Sequence, residues 1–179
     1  MSVAITYFVH GTTTDNEAGK SSGWFDAPLS PVGLRQSQEL QKEVLGKKFD
    51  AVFSSDLSRA LDSANIVFKN ITVVSDQRLR ECNYGIYNGQ PETIVEPLQQ
   101  AYIEKRFPGG ESYSDVKDRV EDFLKFLKEQ YQGKHVAIVS HKAPQLALDV
   151  LLSGKTWEEA FAGDWRKTKA WQPGWKYEL

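Results

Sequence analysis

Apolar residues fill the segment from Val3 to Val9, a short β-rich run suited to a buried strand, and the run stops at His10-Gly11. A polar stretch reaches Ser30. Ser30-Pro31 reads as a helix start, with Ser as N-cap and Pro at the first helical position, and that helix should fade near Leu45 with Gly46 as its stop. Asp50 to Phe53 predicts a second strand. After it, Leu57, Ala60, Leu61, Ala64 and Phe68 mark one helix face at three- and four-residue spacing. Ile71 to Val74 predicts a third strand. The clearest amphipathic stripe is Val116, Val120, Phe123, Leu127 and Tyr131, ended by Gly133, with Val136 to Val139 as the next apolar strand. A helix opens near Pro144, and Thr156 with Glu159 forms a capping box for a further short helix. Gln172-Pro173-Gly174-Trp175 suits a type II turn and predicts a hairpin.

Strands alternating with helices predict an α/β three-layer sandwich, a mainly parallel central sheet flanked by helices. Ligands of such sheets bind beyond the carboxyl ends of the strands. His10, Ser55 and His141 each sit at such an end. The chain has only three histidines. His135 begins its strand and reads as structural, whereas His10 and His141 enter loops, where catalytic groups are displayed. Arg59 lies in the first turn of the helix after the second strand, where a guanidinium and free backbone N–H groups converge on an anion.

Composition narrows the class. At 179 residues, with no linker-like tract or repeat, the chain is expected to fold as one domain spanning 1–179. A net charge of −2 points away from nucleic acid and from anionic membranes, and no apolar window approaches the roughly 20 residues of a membrane-crossing helix. One cysteine, Cys82, excludes an intrachain disulfide and fits a reducing compartment. The N-terminal stretch is too short and lacks the basic region of a signal peptide, so a cytoplasmic location is expected.

Phe8-Val9-His10-Gly11-Thr12-Thr13-Thr14-Asp15-Asn16 resembles the opening signature of the histidine phosphatase (phosphoglycerate mutase-like) superfamily. Four further blocks follow in the family's order: Gly23-Trp24-Phe25-Asp26-Ala27-Pro28-Leu29-Ser30, Phe49 to Ala60 around Arg59, Arg80-Glu81-Cys82-Asn83-Tyr84-Gly85, and Phe107 to Ser112 with Val136 to His141. The resemblance spans roughly residues 3 to 152. It implies a phosphoglycerate mutase-like fold and a phosphomonoester hydrolase acting on a small phosphorylated metabolite. His10 would form a phosphohistidine, with Arg59 and His141 holding the phosphoryl oxygens. Glu81 would act as general acid and base, a role that calls for a buried carboxyl group. Gly11, Thr13, Asn16, Ser22 and Gly23 match positions that touch phosphate or substrate. No cofactor and no metal is implied.

The sequence departs from the family pattern at two places. Val9 stands where arginine usually precedes the catalytic histidine, which removes a phosphate donor; Lys142, where glycine is usual, is the candidate replacement, against its reading as a solvated surface lysine. Thr12 replaces the usual glutamate or glutamine. Two alternatives remain open. One is a mutase, for which the stretch from Asn88 to Phe107 is short and offers only Lys105-Arg106 for a second anion; the other is a phosphate-binding module with weakened catalysis. Trp157, Trp165, Trp171 and Trp175 are expected to pack core and sheet edge. Nothing in the sequence encodes the oligomeric state.

Overall fold

A computed structural model describes residues 2–168 and 173–179. The chain runs β1 (Ala4–Val9), α1 (Thr14–Glu17), β2 (Lys20–Ser21), α2 (Pro31–Val44), β3 (Ala51–Ser54), α3 (Ser58–Val67), β4 (Val73–Ser75), β5 (Gln90–Pro91), α4 (Glu92–Val95), α5 (Tyr113–Gln130), β6 (His135–Ser140), α6 (Lys142–Ser153), α7 (Trp157–Ala162), α8 (Trp165–Thr168) and β7 (Trp175–Glu178). Five strands form one sheet in the order β4-β3-β6-β1-β7, parallel except for β7, which runs antiparallel to β1. β2 and β5 pair separately as a small antiparallel ladder.

Alternation along the strands divides the core. Ile5, Tyr7, Phe53 and Ile138 face α5, α6 and α7, whereas Phe8, Val52, Ala137 and Val139 face α2 and α3. Both sheet faces are therefore covered, as expected for parallel strands with near-continuous apolar runs. The amphipathic stripe of α5 is buried as its spacing predicts, and each fully buried Phe or Leu there contributes about 1.5–3 kcal/mol.

Register aligns the carboxyl ends of the central strands. Val9 pairs with Ser140 and Ser54 with Val139, the His10 N–H donates to Ser140 O at 3.0 Å, and the Ser55 N–H to Val139 O at 3.2 Å. His10 and His141 thus emerge side by side.

Several boundaries differ from the sequence reading. α6 opens at Lys142 rather than near Pro144, with His141 as N-cap; Pro144 falls in the first turn, where its missing N–H costs nothing. β4 is Val73–Ser75 rather than Ile71–Val74, because Ile71 instead packs beneath the strand against the α2–α3 core. Leu57 and Phe68 cap α3, and Tyr131 caps α5. The expected hairpin does not form among the described residues. β7 closes onto β1, with Ala4 opposite Glu178, so its partner is the first strand of the chain; Gln172 lies outside the described residues.

Candidate active site

The segment after β1 turns back on itself through two glycines. A Cβ at Gly11 would lie 2.5 Å from Gly33 O, and one at Gly33 would lie 2.0 Å from Thr12 O, so only paired glycines let this loop lie against the start of α2. Gly11 then serves His10 through its backbone. Its carbonyl accepts a hydrogen bond from His10 Nδ1 at 2.7 Å, while its N–H donates to Ser63 Oγ at 3.0 Å. With the proton on Nδ1, the other ring nitrogen carries the lone pair. Burial, then the Arg59 charge, lower the His10 pKa to about 3, so the ring is neutral at physiological pH.

His141 stands beside it, the two ring centroids 5.1 Å apart. The Tyr7 hydroxyl fixes its backbone, donating to His141 O at 2.6 Å and accepting from the His141 N–H at 3.0 Å. The His141 ring is fully buried, yet neither of its nitrogens has a hydrogen-bond partner. Burial, then Arg59 and His10, push its pKa well below the ordinary value.

Arg59 is 2% exposed. Its guanidinium donates to Phe25 O at 2.9 Å and to Gly23 O at 2.7 Å, so the loop before α2 wraps around it. That loop needs φ +56 at Gly23, where a side chain would also strike Asn88 at 1.9 Å. Asp26 completes the arrangement by accepting from the Ser58 N–H at 2.9 Å, in place of a side-chain cap on α3.

Glu81 is 8% exposed, and its Oε1 accepts from the Cys82 N–H at 2.8 Å and from the Ala143 N–H, in the first turn of α6, at 3.1 Å. Both hydrogen bonds fall on one oxygen, which leaves Oε2 as the atom that can carry a proton. The Glu81 carbonyl is gripped by Trp24 Nε1 at 2.7 Å and Arg119 at 3.0 Å. Arg119 is anchored in turn on Glu111 at 2.9 Å, which gives the Gly110-Glu111-Ser112 block a positioning purpose.

His10, Asn16, Ser22, Gly23, Arg59, Glu81 and Lys142 line one small cleft of about 40 Å³, which also takes in Lys20, Glu96 and Arg166. Three expected site residues do not line it. His141, fully buried, packs against His10 instead. Thr13 is fully buried as the cap of α1, bonded to Asn16, and Gly11 faces away from the cleft. Asn16 Oδ1 is occupied by Thr13, so its amide nitrogen is the end a ligand can meet. Ser22 Oγ donates to Asp15 at 2.9 Å. Lys142 is not a solvated surface lysine: it is 6% exposed, its Nζ donating to Glu96 at 2.8 Å and lying 3.7 Å from Asp164. His135 is structural, bonded to Thr6 Oγ1 at 2.8 Å.

A larger cavity, about 710 Å³, opens on the other side of His10 between Val9, α2 and Trp165. The described part of its lining carries Glu39 and Glu43 and no lysine or arginine, so that part does not suit a phosphate dianion. The small cleft, with four cations against two carboxylates, does. No group of three or more His, Cys, Asp or Glu suited to a metal ion occurs among the described residues, and no described helix is long and apolar enough to cross a membrane.

The sequence pattern of the histidine phosphatase superfamily (branch 1) matches residues 7–172. The chain belongs to this superfamily. Among curated relatives, phosphoserine phosphatase 1 of Hydrogenobacter thermophilus is 30% identical over 160 residues, covering 81% of this chain and 74% of its own. A probable phosphoglycerate mutase, GpmB, of Yersinia pestis is 31% identical over 154 residues, covering 80% and 70%. Among solved structures, a putative alpha-ribazole-5'-P phosphatase from Escherichia coli superimposes with a TM-score of 0.80 at 25% identity, covering 89% of this chain and 84% of its own. Within this histidine phosphatase, Trp24, Glu96, Arg119 and Arg166 escaped the sequence reading. Trp24 lies inside the Gly23 to Ser30 block; the other three carry no local signal.

Proposed function

We propose that the chain hydrolyses a small phosphate monoester through a phosphohistidine on His10, with Glu81 as general acid and base. The observation that carries this reading is the pair of imidazoles. His10 is held neutral with one nitrogen free, and buried His141 has unpartnered nitrogens beside it, a costly arrangement unless a ligand satisfies them. The lone pair of His10 Nε2 attacks phosphorus as the ester oxygen leaves, taking the proton from Glu81 Oε2. Water then attacks the phosphohistidine, its proton returns to Glu81, and inorganic phosphate departs. Arg59, His141 and Lys142 hold the phosphoryl oxygens, the largest source of rate in such transfers.

Hydrolysis is favoured over mutase chemistry by the fate of the two basic residues expected to meet a second anion. Arg106 is bonded to Asp115 at 2.7 Å, and Lys105 lies over the Tyr102 ring. A panel of phosphate esters and 3-phosphoglycerate, scored for released phosphate against isomerised product, tests the reading. Released phosphate that falls on the order of 10³-fold in Glu81→Gln supports it; isomerisation outpacing release contradicts it.

A further inference from the structure

Val9 stands where the resemblance to the family calls for an arginine, so on that resemblance the phosphate site is one guanidinium short. Position 9 lies on the β1 face that packs toward α5, α6 and α7, so an arginine there would have reached forward from that side. α8 stands across from it, since Val9 and Trp165 line the same cavity. The next residue, Arg166, turns into the cleft that holds His10, Arg59 and Glu81. Its charge is felt at the His10 ring together with that of Arg59. Arg166 is also held in place. Its NH2 donates to Glu96, which accepts the Lys142 ammonium at 2.8 Å as well, and it lies 3.5 Å from Asp164. Asp164 is 1% exposed and is not among the residues lining the cleft, so one of the two counter-charges fixes the cations from outside it. The Arg166 Nη2 is spent on Glu96 and Asp164, which leaves the Nε–H and Nη1 donors to meet a phosphoryl group.

We infer that Arg166 supplies the second phosphate-binding guanidinium of this site, replacing the arginine absent at position 9, with Glu96 as its positioning residue. The inference rests on the phosphoryl-transfer reading above, but it makes a binding claim that is testable apart from turnover. Affinity for inorganic phosphate by calorimetry, and kcat/KM on p-nitrophenyl phosphate, are measured for the wild type, Arg166→Ala, Arg166→Lys and Val9→Arg/Arg166→Ala.

Arg166→Ala is expected to weaken phosphate binding tenfold or more and to lower kcat/KM by at least as much. Arg166→Lys keeps the pairing with Glu96 but loses the Nε and Nη1 donors and falls between. The double variant is expected to regain most of the lost affinity, which a purely structural role for Arg166 would not allow. Phosphate affinity within threefold of wild type in Arg166→Ala overturns the inference, as does a double variant no better than the single one. Should Arg166→Ala fail to fold, Arg166→Lys with wild-type affinity overturns it equally. A wild type that hydrolyses no ester while Arg166→Ala loses phosphate binding would sink the proposed function and leave this site standing.

Discussion

Two halves of the chain bring positive charge to the same imidazole, and they bury it by different means. Arg59, from α3, is enclosed by neutral carbonyls of Gly23 and Phe25. Lys142 and Arg166, from α6 and α8, are tied to the carboxylates of Glu96 and Asp164. Burial pulls the Arg59 pKa down, with Glu81 and Asp26 opposing. At Arg166 burial also works against the charge, but Glu96 and Asp164 outweigh it and push the pKa up. The difference separates two tasks. Carbonyl dipoles orient a cation without cancelling it, so Arg59 offers its full charge to an incoming dianion. Carboxylates let several cations share a small space, at the cost of partial neutralisation before any ligand arrives. On the proposed reading Arg59 is the principal anchor, and the second side adds shape and extra donors.

The strongest way to break this comparison is Arg59→Ala. It should lower kcat/KM on the order of 10²–10³-fold, and it should also lower the melting temperature, because the Gly23 and Phe25 carbonyls lose their buried donors. A loss under tenfold, measured by steady-state kinetics, would reverse the ranking of the two sides. Lys142→Ala should have a smaller effect, roughly tenfold in phosphate affinity, the scale of one charge-assisted hydrogen bond. Unchanged activity and phosphate affinity in that variant would remove Lys142 from the site.

Acid should act on one side first. Burial opposes the Glu96 charge, yet Lys142 and Arg166 outweigh it and hold its pKa below the ordinary 4.5. A carboxylate depressed on folding stabilises the protein above its unfolded pKa and loses that contribution as pH falls below it. Urea melts should therefore show stability declining below about pH 4.5 in the wild type, and a shallower decline in Glu96→Gln. Equal slopes would show that the cluster is not an ion pair in solution. The smallest expected effect is that of salt. With Arg166 32% exposed and Arg59 almost wholly buried, raising ionic strength should weaken phosphate binding less in Arg166→Ala than in Arg59→Ala.

The same contrast explains what the sequence made legible. His10, Arg59 and His141 were readable because each follows a strand or opens a helix, and strand ends converge in a parallel sheet, whereas Glu81, in a loop beyond β4, was readable only through the family resemblance of Arg80 to Gly85. Phe53 and Ile138 were readable as core from apolar runs alone. Arg119, Glu96 and Arg166 were not, because they have partners far along the chain: Glu81 for Arg119, Lys142 for Glu96 and Glu96 for Arg166. On a helix surface each looked like any solvated charge. Lys142 was placed at the site but not with its counter-ion, for the same reason. The β7 strand was legible as extended, while its pairing with β1, at the opposite end of the chain, was not.

The proposed hydrolysis depends on a neutral His10 that receives the phosphoryl group. The most direct measurement mixes ³²P-labelled ester with enzyme, quenches within milliseconds, and maps the labelled residue. An acid-labile, base-stable label on His10, absent from His10→Ala, is the predicted result. Turnover with no label on His10, or equal labelling of His10→Ala, would contradict it.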